Sequence, residues 1–133
     1  MELVKALLLS LFVCATAFAQ DNDVPFVVTP DNVTREMLKL ADVKASDYVI
    51  DLGSGDGRIV IVAAKHFGAR GLGVEIVPEL VERSRDNAKK AGVADRAEFR
   101  VQDLFATDLS QATVITMYLL PEVNLQLKPK LLA

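Results

Sequence analysis

The sequence predicts an open parallel β-sheet with helices on both faces, a three-layer α/β/α domain. Three observations carry this. Short apolar runs rich in β-branched residues alternate with helical stretches. The first run ends in a glycine-rich turn, Asp51-Leu52-Gly53-Ser54-Gly55-Asp56-Gly57, and acidic residues, Glu75 and Asp103, close the next two runs. Strands alternating with helices at this spacing make βαβ units, whose right-handed crossovers give a parallel sheet. A chain of 133 residues has room for one such domain.

The first residues read differently from the rest. Lys5 precedes an apolar run from Ala6 to Ala15 that is too short to span a bilayer comfortably. Ala17-Phe18-Ala19 then places small residues at both positions that a signal peptidase reads. Residues 1–19 are therefore expected to be a signal peptide, and residues 20–133 the domain. With cleavage the protein is exported, periplasmic or secreted, and has no stable membrane span; without it the segment is a membrane anchor. Cys14 is the single cysteine and lies in this segment, so cleavage leaves no thiol for a disulfide or a metal. No His or Cys cluster implies a metal site. Charged residues make up 25% of the chain and the net charge is -3, with no basic run and no Trp. Nothing in this composition reads as a nucleic-acid binder.

Along the rest of the chain, residues 20–30 read as polar and then extended. Thr29-Pro30-Asp31 opens a helix, with Thr29 able to cap it, Pro30 suited to its first turn and Asp31 complementing its dipole. Val33, Met37, Leu38 and Leu40-Ala41 form its apolar stripe, to about residue 42. Tyr48 to Leu52 is a buried parallel strand. Arg58 to Phe67 is a helix closed by Gly68, and Gly71 to Ile76 a second strand. Pro78 starts a third helix, with Glu79–Arg83 and Asp86–Lys90 as solvated i,i+4 pairs and Gly92 as its C-terminal stop. Ala97 to Gln102 and Ala112 to Tyr118 are two more strands, and a last helix follows Leu119-Leu120-Pro121-Glu122.

The glycine turn, Glu75 and Asp103 all fall at the C-terminal ends of successive strands, where open α/β sheets bind ligands. Glycine lets the backbone approach a ligand with no Cβ in the way. Glu75 has two acceptor oxygens for the two hydroxyls of a ribose. Asp103 is placed to accept from an adenine amine, with Leu104 and Phe105 available to pack on the ring. A Gly-x-Gly-x-x-Gly dinucleotide fingerprint would need glycine at position 58, where Arg58 stands. Asp51 and Asp56 flank the turn; they repel a pyrophosphate and suit a cationic sulfonium and ammonium. The acidic surroundings tilt the reading from NAD to S-adenosylmethionine.

From Pro25 to Leu132 the sequence resembles the class I S-adenosylmethionine-dependent methyltransferases, which are Rossmann-like. Within them it is similar to the lysine methyltransferases of the mitochondrial ATP-synthase c-subunit type and their bacterial relatives. The residues that carry this are Val28-Thr29-Pro30, Asp51 to Ile59, Gly73-Val74-Glu75, Asp103-Leu104-Phe105 and Tyr118-Leu119-Leu120-Pro121. The resemblance implies that Asp51, Gly53 and Gly55, with Ser54 between them, hold the methionine end of the cofactor. It gives Glu75 the ribose and Asp103 with Leu104 the adenine. It places Tyr118 on the methyl-acceptor channel and has Thr29 and Pro30 help close the pocket. It implies a protein lysine as acceptor. It also implies seven strands, of which the pattern supplies four, so strands five to seven are expected to be missing and one sheet edge open.

Two other readings stay open at this level. One is a non-catalytic exported domain that binds an adenosine-like ligand or a partner. The other is an NAD(P)-dependent oxidoreductase, which Arg58 and the acidic turn disfavour. The oligomeric state is not legible in the residues.

Overall fold

A computed structural model describes residues 5–8, 30–117 and 121–132. Its elements are β1 (Lys5–Leu8), α1 (Asp31–Leu40), β2 (Tyr48–Leu52), α2 (Arg58–Phe67), β3 (Arg70–Glu75) and α3 (Pro78–Lys90). They continue through β4 (Ala97–Val101), a 3-10 turn (Leu104–Ala106), β5 (Val114–Met117) and α4 (Pro121–Leu132). Thr29, Tyr118 and the Ala17–Ala19 cleavage signal lie outside the described residues.

The sheet has the order β1-β5-β2-β3-β4, and every neighbouring pair is parallel. Period-2 alternation decides which face each strand residue covers. Val49 and Val114 point to one face, where Met37 and Leu38 of α1 and Ile59, Val62 and Ala63 of α2 pack on them. Ile50, Leu52, Leu72, Val74, Ile115 and Met117 point to the other, which Leu127 of α4 covers. Val81 and Ala88 of α3 join Val60 and Ala64 of α2 over Ala97 and Phe99 of β4. The three-layer α/β/α arrangement follows directly: α1, α2 and α3 on one face, α4 on the other.

The helix ends follow local rules. Pro30 stands just before α1 rather than inside it, and its carbonyl accepts from the Thr34 amide at 3.0 Å and hydroxyl at 3.2 Å. Asp42 takes the left-handed conformation, φ 54, and lets the Val43 amide donate back to the Leu38 carbonyl at 3.1 Å. That closure stops α1 at Leu40. On α3, Val81, Ser84 and Ala88 are buried, and on its solvated face Arg85 pairs with Glu82, one turn apart, where the spacing had suggested Glu79–Arg83 and Asp86–Lys90.

One edge differs from expectation. The side of β5 expected to lie open is paired by β1, with Lys5, Ala6, Leu7 and Leu8 opposite Val114, Ile115, Thr116 and Met117. This strand comes from within the stretch read as a leader, residues 1–19. The physical reason is shared chemistry: an apolar Leu/Ala run suits a leader, and it equally satisfies the unpaired amides and carbonyls of an apolar edge. Cleavage after Ala19 would remove this strand.

A chain starting at Gln20 is expected to melt lower than the full chain by an amount corresponding to on the order of 1–3 kcal/mol, the net worth of a few ladder hydrogen bonds. It should also self-associate more, through the bared β5 edge. Differential scanning calorimetry and sedimentation of the two chains check this.

Candidate functional site

The strand ends of β2, β3 and β4 meet at the glycine turn. The turn closes on itself through one bond, the Gly57 amide to the Ser54 carbonyl at 2.9 Å, and groups from outside it supply further bonds. The amides of Gly53 and Ser54 both donate to the Val74 carbonyl, each at 3.0 Å. The Gly55 amide donates to Glu75 Oε1 at 3.1 Å. The Gly55 carbonyl accepts from Ser84 Oγ of α3 at 3.0 Å, and the Asp56 carbonyl from Asn87 Nδ2 at 3.1 Å. Groups of β3 and α3 thus set a loop that starts on β2.

Gly53, Gly55 and Gly57 take positive φ, and close approach adds a second demand for glycine at 57 and 73. Gly57 has φ +84, and a Cβ there would lie 2.7 Å from Phe99 Cζ and 2.8 Å from Ser84 Cβ. A Cβ on Gly73 would lie 2.7 Å from both Phe99 Cδ1 and Ser54 Oγ. The Phe99 ring is wedged between the turn and β3, and only glycine leaves it room.

Asp51 lies at the base of this turn, 2% exposed. It is register partner of Thr116 on β5, and the Thr116 hydroxyl donates to Asp51 Oδ1 at 2.8 Å, fully buried. Burial pushes the Asp51 carboxyl up to about 7; the Thr116 hydrogen bond pulls against this, while the negative charges of Glu75 and Asp56 add to it. A carboxyl so raised is an acid held ready for a positive charge.

Glu75, at the end of β3, accepts from three backbone amides. Oε1 takes Gly55; Oε2 takes Ile76 at 2.7 Å and Val77 at 3.2 Å. A carboxylate offers about four acceptor positions, so one remains for an outside donor, and taking both hydroxyls of a ribose would need one amide to give way. Asp103 is exposed and caps the 3-10 turn, its Oδ1 accepting from the Phe105 amide at 2.9 Å. Leu104 turns inward against the core on the α4 side. Phe105 is 41% exposed and Ile76 71%, two apolar side chains left in water beside the strand ends. Pro30 is exposed just before α1. Arg58, at the head of α2, bridges Asp56 at 3.3 Å and Asp31 of α1 at 3.4 Å, which ties the first turn of α1 to the glycine turn.

The structure therefore brings Asp51, Gly53, Ser54, Gly55 and Glu75 together, and sets Asp103 at the neighbouring strand end. Thr116, Ser84, Asn87 and Phe99 complete the arrangement, and the residue pattern did not single them out as part of it. A signal existed for two of them: Thr116 is a lone hydroxyl inside an apolar strand, and Ser84 a lone hydroxyl on an apolar helix face. Their partners are 65 and 29 residues away, which no local pattern reveals.

These residues suit an adenosine cofactor with a cationic methionine end. Ser54 Oγ is buried and has no hydrogen-bond partner among the described residues, and an orphan of this kind is costly unless a ligand satisfies it. Asp51, Asp56 and Glu75 supply negative charge, and Ile76 and Phe105 supply apolar surface for a base. Among the described residues no group of three His, Cys, Asp or Glu is placed to hold a metal ion.

Comparison with known proteins agrees with this geometry. Residues 51–133 match the ANTKMT methyltransferase domain family. The chain is 50% identical over 109 residues to a protein-lysine N-methyltransferase of Saccharolobus islandicus, covering 81% of this chain and 68% of that one. It is 35% identical over 133 residues to the ATP synthase c-subunit lysine N-methyltransferase of Homo sapiens, covering 97% of this chain and 56% of the human protein. A crystal structure of an RNA methyltransferase from Salinibacter ruber in complex with S-adenosyl-L-homocysteine superposes with a TM-score of 0.78 and 61% identity, over 79% of this chain and 69% of that one. The chain thus spans roughly half to two thirds of the length of these relatives.

Two outcomes follow from the site. Asp51 is harder to ionise folded than unfolded, so its contribution to stability is full below pH 3.8 and is lost as pH rises through about 7. The ligand-free protein should lose melting temperature from pH 5 to pH 8, and Asp51→Asn should flatten that slope; thermal melts of both across this range check it. Gly73→Ala forces a Cβ onto Ser54 and Phe99 and is expected to cost about 1–3 kcal/mol, read as a lower midpoint in urea denaturation.

Proposed function

The chain belongs to the ANTKMT methyltransferase domain family, and we propose that it transfers a methyl group from S-adenosylmethionine to the side-chain amine of a protein lysine. The observation that carries this reading is the glycine turn fixed over a buried Asp51 and in front of Glu75. The lysine acceptor is supported by the names of two relatives, one from Saccharolobus islandicus and one from Homo sapiens.

When bound, S-adenosylmethionine supplies a methyl group already activated by its positively charged sulfur. The chain's own residues then have a positioning task. The orphan hydroxyl of Ser54 would meet one end of the ligand, and Glu75 would offer its remaining acceptor position to a ribose hydroxyl. Asp103 and the apolar faces of Ile76 and Phe105 border the base. Asp51, once ionised, would provide a negative charge near the cationic end, in surroundings too dry for water to screen it. Alignment of this kind accounts for most of what an in-line displacement needs from a protein. An unperturbed lysine has a pKa of about 10.4 and attacks only as the free amine. Where the solution supplies the free amine, the rate should rise close to tenfold per pH unit while the amine remains mostly protonated.

One observation favours a second acceptor class. The Salinibacter ruber protein, 61% identical over the matched region, is named as an RNA methyltransferase. Transfer of label from methyl-tritiated S-adenosylmethionine into a lysine-bearing protein fraction, and into total RNA, separates the two. The lysine reading expects protein label only, lost by about two orders of magnitude or more in Asp51→Ala, the cost of removing a charged site group. Label confined to RNA overturns the lysine acceptor and keeps the methyltransferase; no binding of S-adenosylhomocysteine by calorimetry overturns both.

A further inference from the structure

We propose that Thr116 is a positioning residue for the cofactor: its hydroxyl, donated to Asp51 Oδ1 across the β2–β5 ladder, holds that carboxylate as an oriented anion toward the ligand's cationic methionine end. The inference rests on the S-adenosylmethionine reading of the site and names the group that keeps its central acid competent.

The geometry is specific. Asp51 and Thr116 are register partners on adjacent strands, so their side chains rise side by side on the same face of the sheet. Both are buried, at 2% and 1% exposure, and the bond between them is 2.8 Å. Their neighbours on this face are apolar: Val49 and Val114, the preceding pair on it, are both 0% exposed. A threonine in an otherwise apolar strand of Val114, Ile115 and Met117 loses packing relative to valine and must have its hydroxyl satisfied. Here Asp51 satisfies it. Threonine is stiff at χ1, so the donor is aimed rather than mobile.

The charges bearing on Asp51 make that donor matter. Glu75 at the end of β3 and Asp56 in the turn are both anionic and, together with burial, oppose ionisation of Asp51. Arg58, the cation at the head of α2, is engaged with Asp56 and Asp31. On α1 the side chains turned inward are Thr34, Met37 and Leu38, and none carries charge. Among the described residues Thr116 is thus the neighbour that favours the charged form, by hydrogen bonding to it. Since the carboxyl titrates near neutrality, a cationic ligand binds the ionised form better and its affinity rises as pH rises through about 7. Removing the hydroxyl raises the pH at which this gain appears.

The test is calorimetric binding of S-adenosylmethionine and of 5′-methylthioadenosine between pH 5.5 and 8.5. The full-length wild type, Thr116→Val, Thr116→Ser and Asp51→Asn are compared, with thermal melts to confirm that each is folded. Methylthioadenosine has the adenosine and sulfur but neither the ammonium nor the sulfonium charge. Thr116→Val should bind S-adenosylmethionine about tenfold more weakly at pH 7, the scale of a lost hydrogen bond to a charged group. It should move the pH midpoint of affinity upward by about one unit, with methylthioadenosine binding unchanged. Thr116→Ser should restore both, and in an Asp51→Asn background Thr116→Val should have no further effect. Equal weakening of both ligands, or a pH midpoint that does not move, overturns the inference and leaves the cofactor reading standing. Failure of the wild type to bind S-adenosylmethionine overturns the reading and the inference together. If Thr116→Val does not fold, the double mutant cycle is run with Thr116→Ser and Thr116→Ala, where failure of serine to retain wild-type binding overturns the inference.

Discussion

A turn with glycine at 53, 55 and 57 has few side chains with which to fix its own shape, and the site depends on how that is solved. The turn after β2 is held from outside: by the Val74 carbonyl, which takes two successive amides; by Glu75, which takes a third; and by Ser84 and Asn87 of α3, which donate to its carbonyls. Each of these groups sits where it does because β3 lies beside β2 and α3 packs over β4. The loop's conformation is therefore set in large part by the βαβαβ unit around it. The Phe99 ring, pressed against Gly57 and Gly73, transmits the same constraint through packing: the sheet and α3 can come this close only because two Cβ atoms are absent.

Charge is arranged on that frame. Three carboxylates, Asp51, Asp56 and Glu75, converge on the turn, and each is managed differently. Asp56 meets the guanidinium of Arg58, which also reaches Asp31. Glu75 is spread over three backbone amides. Asp51 has one hydroxyl and is the most buried, so it is the one whose ionisation is opposed. Most of the electrostatic cost thus falls on the acid at the base of the turn, where a cationic ligand can offset it. An acid raised by burial in a ligand site is a common signature of function, and here it sits at the same turn as an orphaned serine hydroxyl.

The edge of the sheet is a separate matter. β5 presents an apolar strand whose outer side needs a partner, and Lys5–Leu8 provides one. The same run has the composition of a leader. Sequence composition sees only that the segment is apolar, and that property suits a leader and an edge strand alike.

Local patterning was enough for much of the fold and part of the site. Alternating β-branched runs and helical stripes determined four parallel strands and their helices, because period 2 and period 3.6 are local properties of the chain. Glycines at 53, 55 and 57, with Glu75 and Asp103 in step at the strand ends, marked out the candidate site, because strand C-termini of a parallel sheet share one rim. Tertiary structure alone decided the rest. It joined Thr116 to Asp51 and Ser84 to Gly55, set Phe99 against two glycines, turned Leu104 against the core and drew Lys5–Leu8 to the edge of β5. The reason is sequence distance. These contacts are made between elements tens of residues apart, through hydroxyls and rings whose local context is that of ordinary core residues, so their partners exist only once the strands have paired.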